Sequence, residues 1–179
     1  MDTKQVVRSL LKAAGTIDAM IAVQAARELS RAGLRTPQSV LKAERADMIK
    51  AFGRAHYVRY DESSATRLAD IAAAVRDDYG GDLRKLATHD VKPTGRLLKQ
   101  FKGIGDTGAD IFLREVQDVW TWVRPYFDKR ALAAARDIGL PTEADGLGAL
   151  APRNNAALAA ALVRVSLDDE LRSKVRSPR

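Results

Sequence analysis

Residues 97–116 read LLKQFKGIGDTGADIFLREV, with two glycines one residue apart between two apolar repeats. Gly103 and Gly105 lack a Cβ, so the backbone around Ile104 tolerates positive φ and the close approach of another backbone or a phosphate. The amides of this turn and of the following first helical turn have no intrahelical partner, and the helix dipole adds positive character there. A phosphate is the natural ligand of such a place. A duplex held this way is gripped by its backbone, which gives position without sequence information. The alternative is an ordinary helical corner whose glycines serve packing alone. Asp106 either sets a negative charge where the phosphate would come or caps the helix.

Charge and aromatic residues gather on either side. Lys92, Arg96, Lys99 and Lys102 precede or lie in the turn, and Arg124, Lys129 and Arg130 surround Asp128. They form either a working basic face or a solvated surface. Asp128 stands just before the run Ala131, Leu132, Ala135, Ile138, where an N-cap carboxylate contributes about 1 kcal/mol. Trp120, Trp122, Tyr126 and Phe127 are the densest aromatic cluster; such rings stack on a flipped base or wedge a duplex, or they glue helices together. His56, in HYVRY beside Tyr57 and Tyr60, and His89 have no partner at metal-ligand spacing, so no metal site is expected.

The elements that carry these residues are helical throughout. Thr3 to Ala14 forms a first helix ended by Gly15, and Asp18 to Ala32 a second, with Ile17, Ile21, Ala25 and Leu29 on one face and Gly33 as its stop. Thr36-Pro37 caps and opens a short helix to Lys42. Arg45 to Phe52 follows, ending at Gly53. Asp61 or Ser63 caps a long helix to Tyr79, stopped by Gly80-Gly81. Residues 82 to 87 form a short helix, and Pro93-Thr94 lead into the glycine turn. Leu97, Leu98 and Phe101, then Ala109, Phe112, Leu113 and Val116, keep helical spacing on its two sides. Residues 142 to 152 read as a glycine-rich connection, Asn154 to Val165 as an alanine-rich helix. Ser166 to Asp169 caps a last helix that frays into Arg172, Lys174, Arg176 and Arg179, a tail that either touches phosphate or is disordered. No strand-like alternation of useful length occurs, so the fold is all-α.

Composition narrows the classes. With 179 residues and 46% hydrophobic, the chain can bury one core or two small lobes and is not a disordered segment. It contains no cysteine, which removes disulfides, zinc-thiolate sites and iron-sulfur clusters; no cofactor is expected. No run approaches the roughly 18 apolar residues of a membrane span, and no apolar signal core precedes a cleavage site at the N-terminus, so a cytoplasmic protein away from membranes is expected. Lysine and arginine number 30 against 23 acids, a net charge of +7, as in a polyanion binder that releases counterions from phosphates.

Phe101 to Leu113, as FKGIGxxxAxxxL, resembles the helix-hairpin-helix motif of the endonuclease III family of DNA glycosylases. The likeness continues through Arg124-Pro125-Tyr126-Phe127 to Asp128, and upstream over Thr16 to Tyr79, with Leu10-Leu11 and Thr16-Ile17-Asp18 resembling the family's leucine-rich helix and adjoining Thr-Asp. It covers most of residues 10 to 140. The resemblance implies a helical bundle containing the helix-hairpin-helix motif, with two lobes around a cleft: residues 16-116 as one helical domain, 1-15 plus 117-179 as the second lobe. Asp128 matches the catalytic aspartate, whose carboxylate stabilises the oxocarbenium character that develops when an N-glycosidic bond breaks. Thr107 matches the lysine whose amine forms a Schiff base in relatives that also cut the backbone.

The implied protein is a monofunctional DNA glycosylase of base excision repair. It would contact double-stranded DNA through Lys99, Lys102, Gly103, Ile104, Gly105, Thr107, Gly108, Lys129 and Arg130, and act as a monomer. The chain departs from the family in lacking the four-cysteine cluster of some members and a polar gap-filling side chain around Lys12 to Thr16. Two alternatives remain: a non-catalytic helix-hairpin-helix DNA-binding protein, and a helical interaction module whose Trp120 and Trp122 face a protein partner.

Overall fold

Helices form wherever the apolar residues recur every three or four positions and polar caps punctuate them. A computed structural model describes residues 6, 7, 20–56 and 58–176. Every regular element among them is an α-helix or a 3-10 turn. The α-helices are α1 (Met20–Arg31), α2 (Pro37–Lys42), α3 (Arg45–Arg54), α4 (Asp61–Tyr79), α5 (Val91–Leu98), α6 (Asp106–Val116), α7 (Lys129–Asp137), α8 (Ala144–Leu150), α9 (Asn155–Leu167) and α10 (Asp169–Arg176). Of the expected Thr3 to Ala14 helix only Val6 and Val7 are described. Gly15, Leu10-Leu11, Thr16-Ile17-Asp18, Tyr57 and Arg179 lie outside the described residues.

The chain divides into two compact units, Met1–Ile17 with His89–Val91 and Asp106–Arg179 in one, Asp18–Thr88 with Lys92–Gly105 in the other. One of its boundaries falls between Gly105 and Asp106, so α6 belongs with the C-terminal helices.

In the unit of Asp18–Thr88 and Lys92–Gly105, α4 packs against α2 and α3, and α3 against α1. Ala25, Val40, Met48, Phe52, Ala65 and Ala72 form the core; burying a side chain of the size of Phe52 contributes about 1.5–3 kcal/mol. Helix α2 starts as its sequence dictates. Ser39 N–H donates to Thr36 Oγ1 at 3.1 Å while Thr36 N–H donates to Ser39 Oγ at 3.0 Å, a reciprocal cap ahead of Pro37. Gly80 (φ +60°) and Gly81 (φ +79°) end α4, and Gly81 N–H closes it on the Val75 carbonyl at 2.9 Å. Thr94 is fully buried and accepts from Thr88 N–H at 3.2 Å.

The unit containing Asp106–Arg179 is built around α9, which packs against α7, α6 and α10. Its core joins Val6 and Val7 to Phe127, Ala131, Ala135, Leu147, Leu158, Leu162 and Val175. The small residues on α7 (Ala131, Ala134, Ala135) and α9 (Ala159, Ala161) let the helices approach closely.

Several local expectations are corrected. Residues 142 to 152 contain the helix α8: a Cβ on Gly148 would meet Pro125 Cβ at 2.8 Å and one on Gly146 would meet Pro141 Cβ at 2.9 Å, so these glycines answer crowding, not chain flexibility. Helix α3 runs through Gly53 to Arg54, and the left-handed residue after it is His56 (φ +60°). Pro93 sits inside the first turn of α5, where its missing N–H has no partner to lose. The short helix expected at residues 82 to 87 is present, as the 3-10 turn Leu83–Leu86 capped by Asp82. Helix α4 begins at Asp61 with Tyr60 in the cap position, so neither Asp61 nor Ser63 is its N-cap.

Candidate active site

Helix α6 presents Thr107, Asp110, Ile111 and Arg114 along one face, at i, i+3, i+4 and i+7. The opposite face, with Ala109 and Leu113, is buried. Beyond α6 the chain returns past its own helix end, and Gln117 fixes that return. Its side chain is fully buried; Nε2 donates to the Tyr126 carbonyl at 2.9 Å and the Arg114 carbonyl at 3.0 Å, and Oε1 accepts from Tyr126 N–H at 2.9 Å. An amide that offers both donor and acceptor mimics a strand edge here. Arg124 adds a clamp, with Nη2 at 2.6 Å from Asp118 Oδ1.

This geometry delivers Asp128 to the start of α7. Oδ1 accepts from Ala131 N–H at 2.9 Å, the N-cap bond anticipated from the sequence. Oδ2 accepts from Arg114 Nη1 at 2.7 Å, and the two residues are only 7% and 9% exposed. Arg114 Nε also lies 3.2 Å from Glu115 Oε1.

Asp128 and Thr107 line one pocket of about 390 Å³, together with Asp110, Ile111, Arg114, Lys129, Arg130, Val163 and Leu167. Its size falls in the usual range for small-molecule sites, roughly 300–1,000 Å³. Ile111, Val163 and Leu167 give it an apolar wall, and Lys129 and Arg130 are exposed at the start of α7. Tyr126 donates its hydroxyl to Asp110 Oδ1 at 2.5 Å. Burial pushes the Tyr126 phenol well above its ordinary value of 10, and the bond to Asp110 and the negative charges of Asp110 and Asp128 push it further. Tyr126 is thus a fixed donor.

Four of the site residues singled out from the sequence, Thr107, Asp128, Lys129 and Arg130, therefore line one pocket. Gly108 is half-buried on α6 outside the pocket lining. Lys99, Lys102, Gly103, Ile104 and Gly105 belong to the other unit. There Gly103 takes φ +91°, Ile104 N–H closes the turn on the Phe101 carbonyl at 3.0 Å, and Lys102 Nζ is 4.0 Å from Asp70 Oδ2. Trp120 stacks on Trp122 with centroids 5.7 Å apart and meets Phe112 edge-on at 5.5 Å, while His89 (φ +59°) lies against Trp122 at 5.4 Å. The tryptophans thus pack on one another and their neighbours, both half-buried. Asp106 is the first residue of α6.

Sequence reasoning passed over Asp110 and Arg114, and took Tyr126 as a ring of the aromatic cluster and not as a hydroxyl donor. The signal for the first two was present: they repeat the helical spacing of Thr107 on the polar face of α6. Tyr126 had no such signal, because its partner lies 16 residues away. Among the described residues no group of three or more His, Cys, Asp or Glu could hold a metal ion, and no helix is long and apolar enough to cross a membrane. No family model matches the chain, and no curated protein and no solved structure matches it significantly.

Proposed function

We propose that this protein binds double-stranded DNA and acts as a monofunctional DNA glycosylase in base excision repair, on the pattern of the endonuclease III family. The observation that carries the reading is the shared pocket of Asp128, Thr107, Lys129 and Arg130. In it a flipped nucleotide would set its sugar near the carboxylates, while Lys129 and Arg130 meet the flanking phosphates. The helix-hairpin-helix segment from Lys99 to Gly108 would hold the duplex backbone through its amides. A carboxylate of this pocket supports hydrolysis by favouring positive charge at the sugar, the part that the resemblance gives to Asp128. Thr107 has no amine, so no Schiff base forms there and the product is an intact abasic strand.

A second reading, a DNA-binding protein without catalysis, is favoured by the Arg114–Asp128 ion pair, which occupies one carboxylate oxygen while the helix cap occupies the other. Base release from duplexes with uracil, oxidised, alkylated or mismatched bases, followed by alkali, separates the two. The glycosylase reading expects strand breaks only after alkali, lost in Asp128→Asn. Salt-sensitive duplex binding without release from any substrate supports the second reading, and salt-insensitive self-association without DNA binding overturns both.

A further inference from the structure

The pocket holds a carboxylate besides Asp128, and the two are held differently. Asp128 gives Oδ1 to the α7 cap and Oδ2 to Arg114, and is buried. Asp110 is half-buried on the face of α6 that lines the pocket, its Oδ1 accepts one neutral donor, the Tyr126 hydroxyl, and its Oδ2 accepts nothing among the described residues. No cation lies within ion-pair distance of Asp110 among the described residues; Arg114, one turn further along α6, is spent on Asp128 and Glu115. The charge of Asp128 is therefore balanced at contact distance and that of Asp110 is not. A guanidinium 2.7 Å from a carboxylate cancels most of its field at a third group, whereas a phenol donor orients a carboxylate without neutralising it.

We propose that Asp110 is a catalytic residue of this site, the carboxylate that faces the sugar, with Asp128 a positioning residue acting through Arg114. The proposal rests on reading the pocket as a glycosylase site. Asp110 Oδ2 stabilises the positive charge at C1′ as the C1′–N bond breaks and its electron pair leaves with the base. It then receives a proton from the water whose oxygen bonds to C1′; the departing base takes up a proton from solvent. Tyr126 holds Oδ1, so the carboxylate keeps one orientation and Oδ2 is left for the water.

The test needs no knowledge of the lesion. Duplexes carrying a cationic pyrrolidine abasic analogue or a neutral tetrahydrofuran one are titrated against the full chain and its Asp110→Asn and Asp110→Glu variants. The wild type should prefer the cationic duplex by roughly tenfold or more. Asp110→Asn should remove that preference while retaining binding of the neutral duplex. Asp110→Glu should restore part of it. Asp110→Ser replaces the asparagine variant should that one fail to fold. A preference that survives in both Asp110→Asn and Asp110→Ser overturns the role of Asp110, as does salt-sensitive duplex binding by the wild type with no preference; both leave DNA binding standing. No duplex binding at all overturns the functional reading and the proposal with it.

Discussion

Arg114 Nη1 lies 2.7 Å from Asp128 Oδ2, and this pair ties α6 to the first turn of α7 across 14 residues of chain. Both partners are buried, so the pair is held by desolvated charge on each side. Removing one partner leaves the other charge uncompensated, typically a loss of about 3–5 kcal/mol. Arg114→Met should therefore lower the unfolding free energy by about 3 kcal/mol in urea titrations. Asp128→Ala should cost slightly more, because it also removes an N-cap worth about 1 kcal/mol. In a double-mutant cycle the combined variant should be less damaged than the sum of the two.

Gly148 offers a second test that does not touch the site. A methyl group there would stand 2.8 Å from Pro125 Cβ and 3.1 Å from Asn155 Oδ1. Neither neighbour is the free end of a long side chain: Asn155 is buried with Nδ2 on the Ala151 carbonyl at 2.7 Å. Gly148→Ala should destabilise by about 1–3 kcal/mol despite the better helix propensity of alanine. An unchanged thermal midpoint would contradict the packing of α8.

A pH effect follows from Glu28. Arg54 first, then Arg31, hold its carboxyl below the ordinary value near 4.5, through contacts of 2.8 Å and 2.5 Å. A group whose folded value is lowered contributes stability that is present above the unfolded value and lost as pH falls through the folded one. Wild-type stability should hold above pH 5 and decline below about 4.5. Glu28→Gln should be less stable than wild type at pH 6, and the difference should shrink steadily on acidification. Denaturant midpoints at pH 6, 4 and 3 measure it; a constant difference would refute the assignment.

Thr107 bears on the chemistry proposed for the pocket. It lies in the first turn of α6 and lines the same pocket as Asp128. Thr107→Lys would place an amine there, and borohydride should then trap a covalent complex with abasic duplex that the wild type does not form. Trapping of the wild type itself would show that another amine reaches the sugar.

The helices could be read in the sequence because their signals are local. Thr36-Pro37 before α2, Gly80-Gly81 after α4 and Asp128 before α7 each act within one turn, through bonds that the neighbouring backbone must make. The absence of cysteine is equally independent of folding, and so is the +7 charge. One stretch misled: Gly146 and Gly148 looked like a connection and lie in a helix, at positions where a Cβ would meet Pro141 and Pro125.

The sequence alone determined an all-α chain and the helix that Asp128 caps, since periodicity and capping depend on residues within four positions of one another. Only the tertiary structure decided that Arg114 neutralises Asp128, that Tyr126 orients Asp110, and that α6 joins the C-terminal helices. Those outcomes depend on how residues 117–128 return along α6, a path set by the buried amide of Gln117 and not by any repeat in the chain.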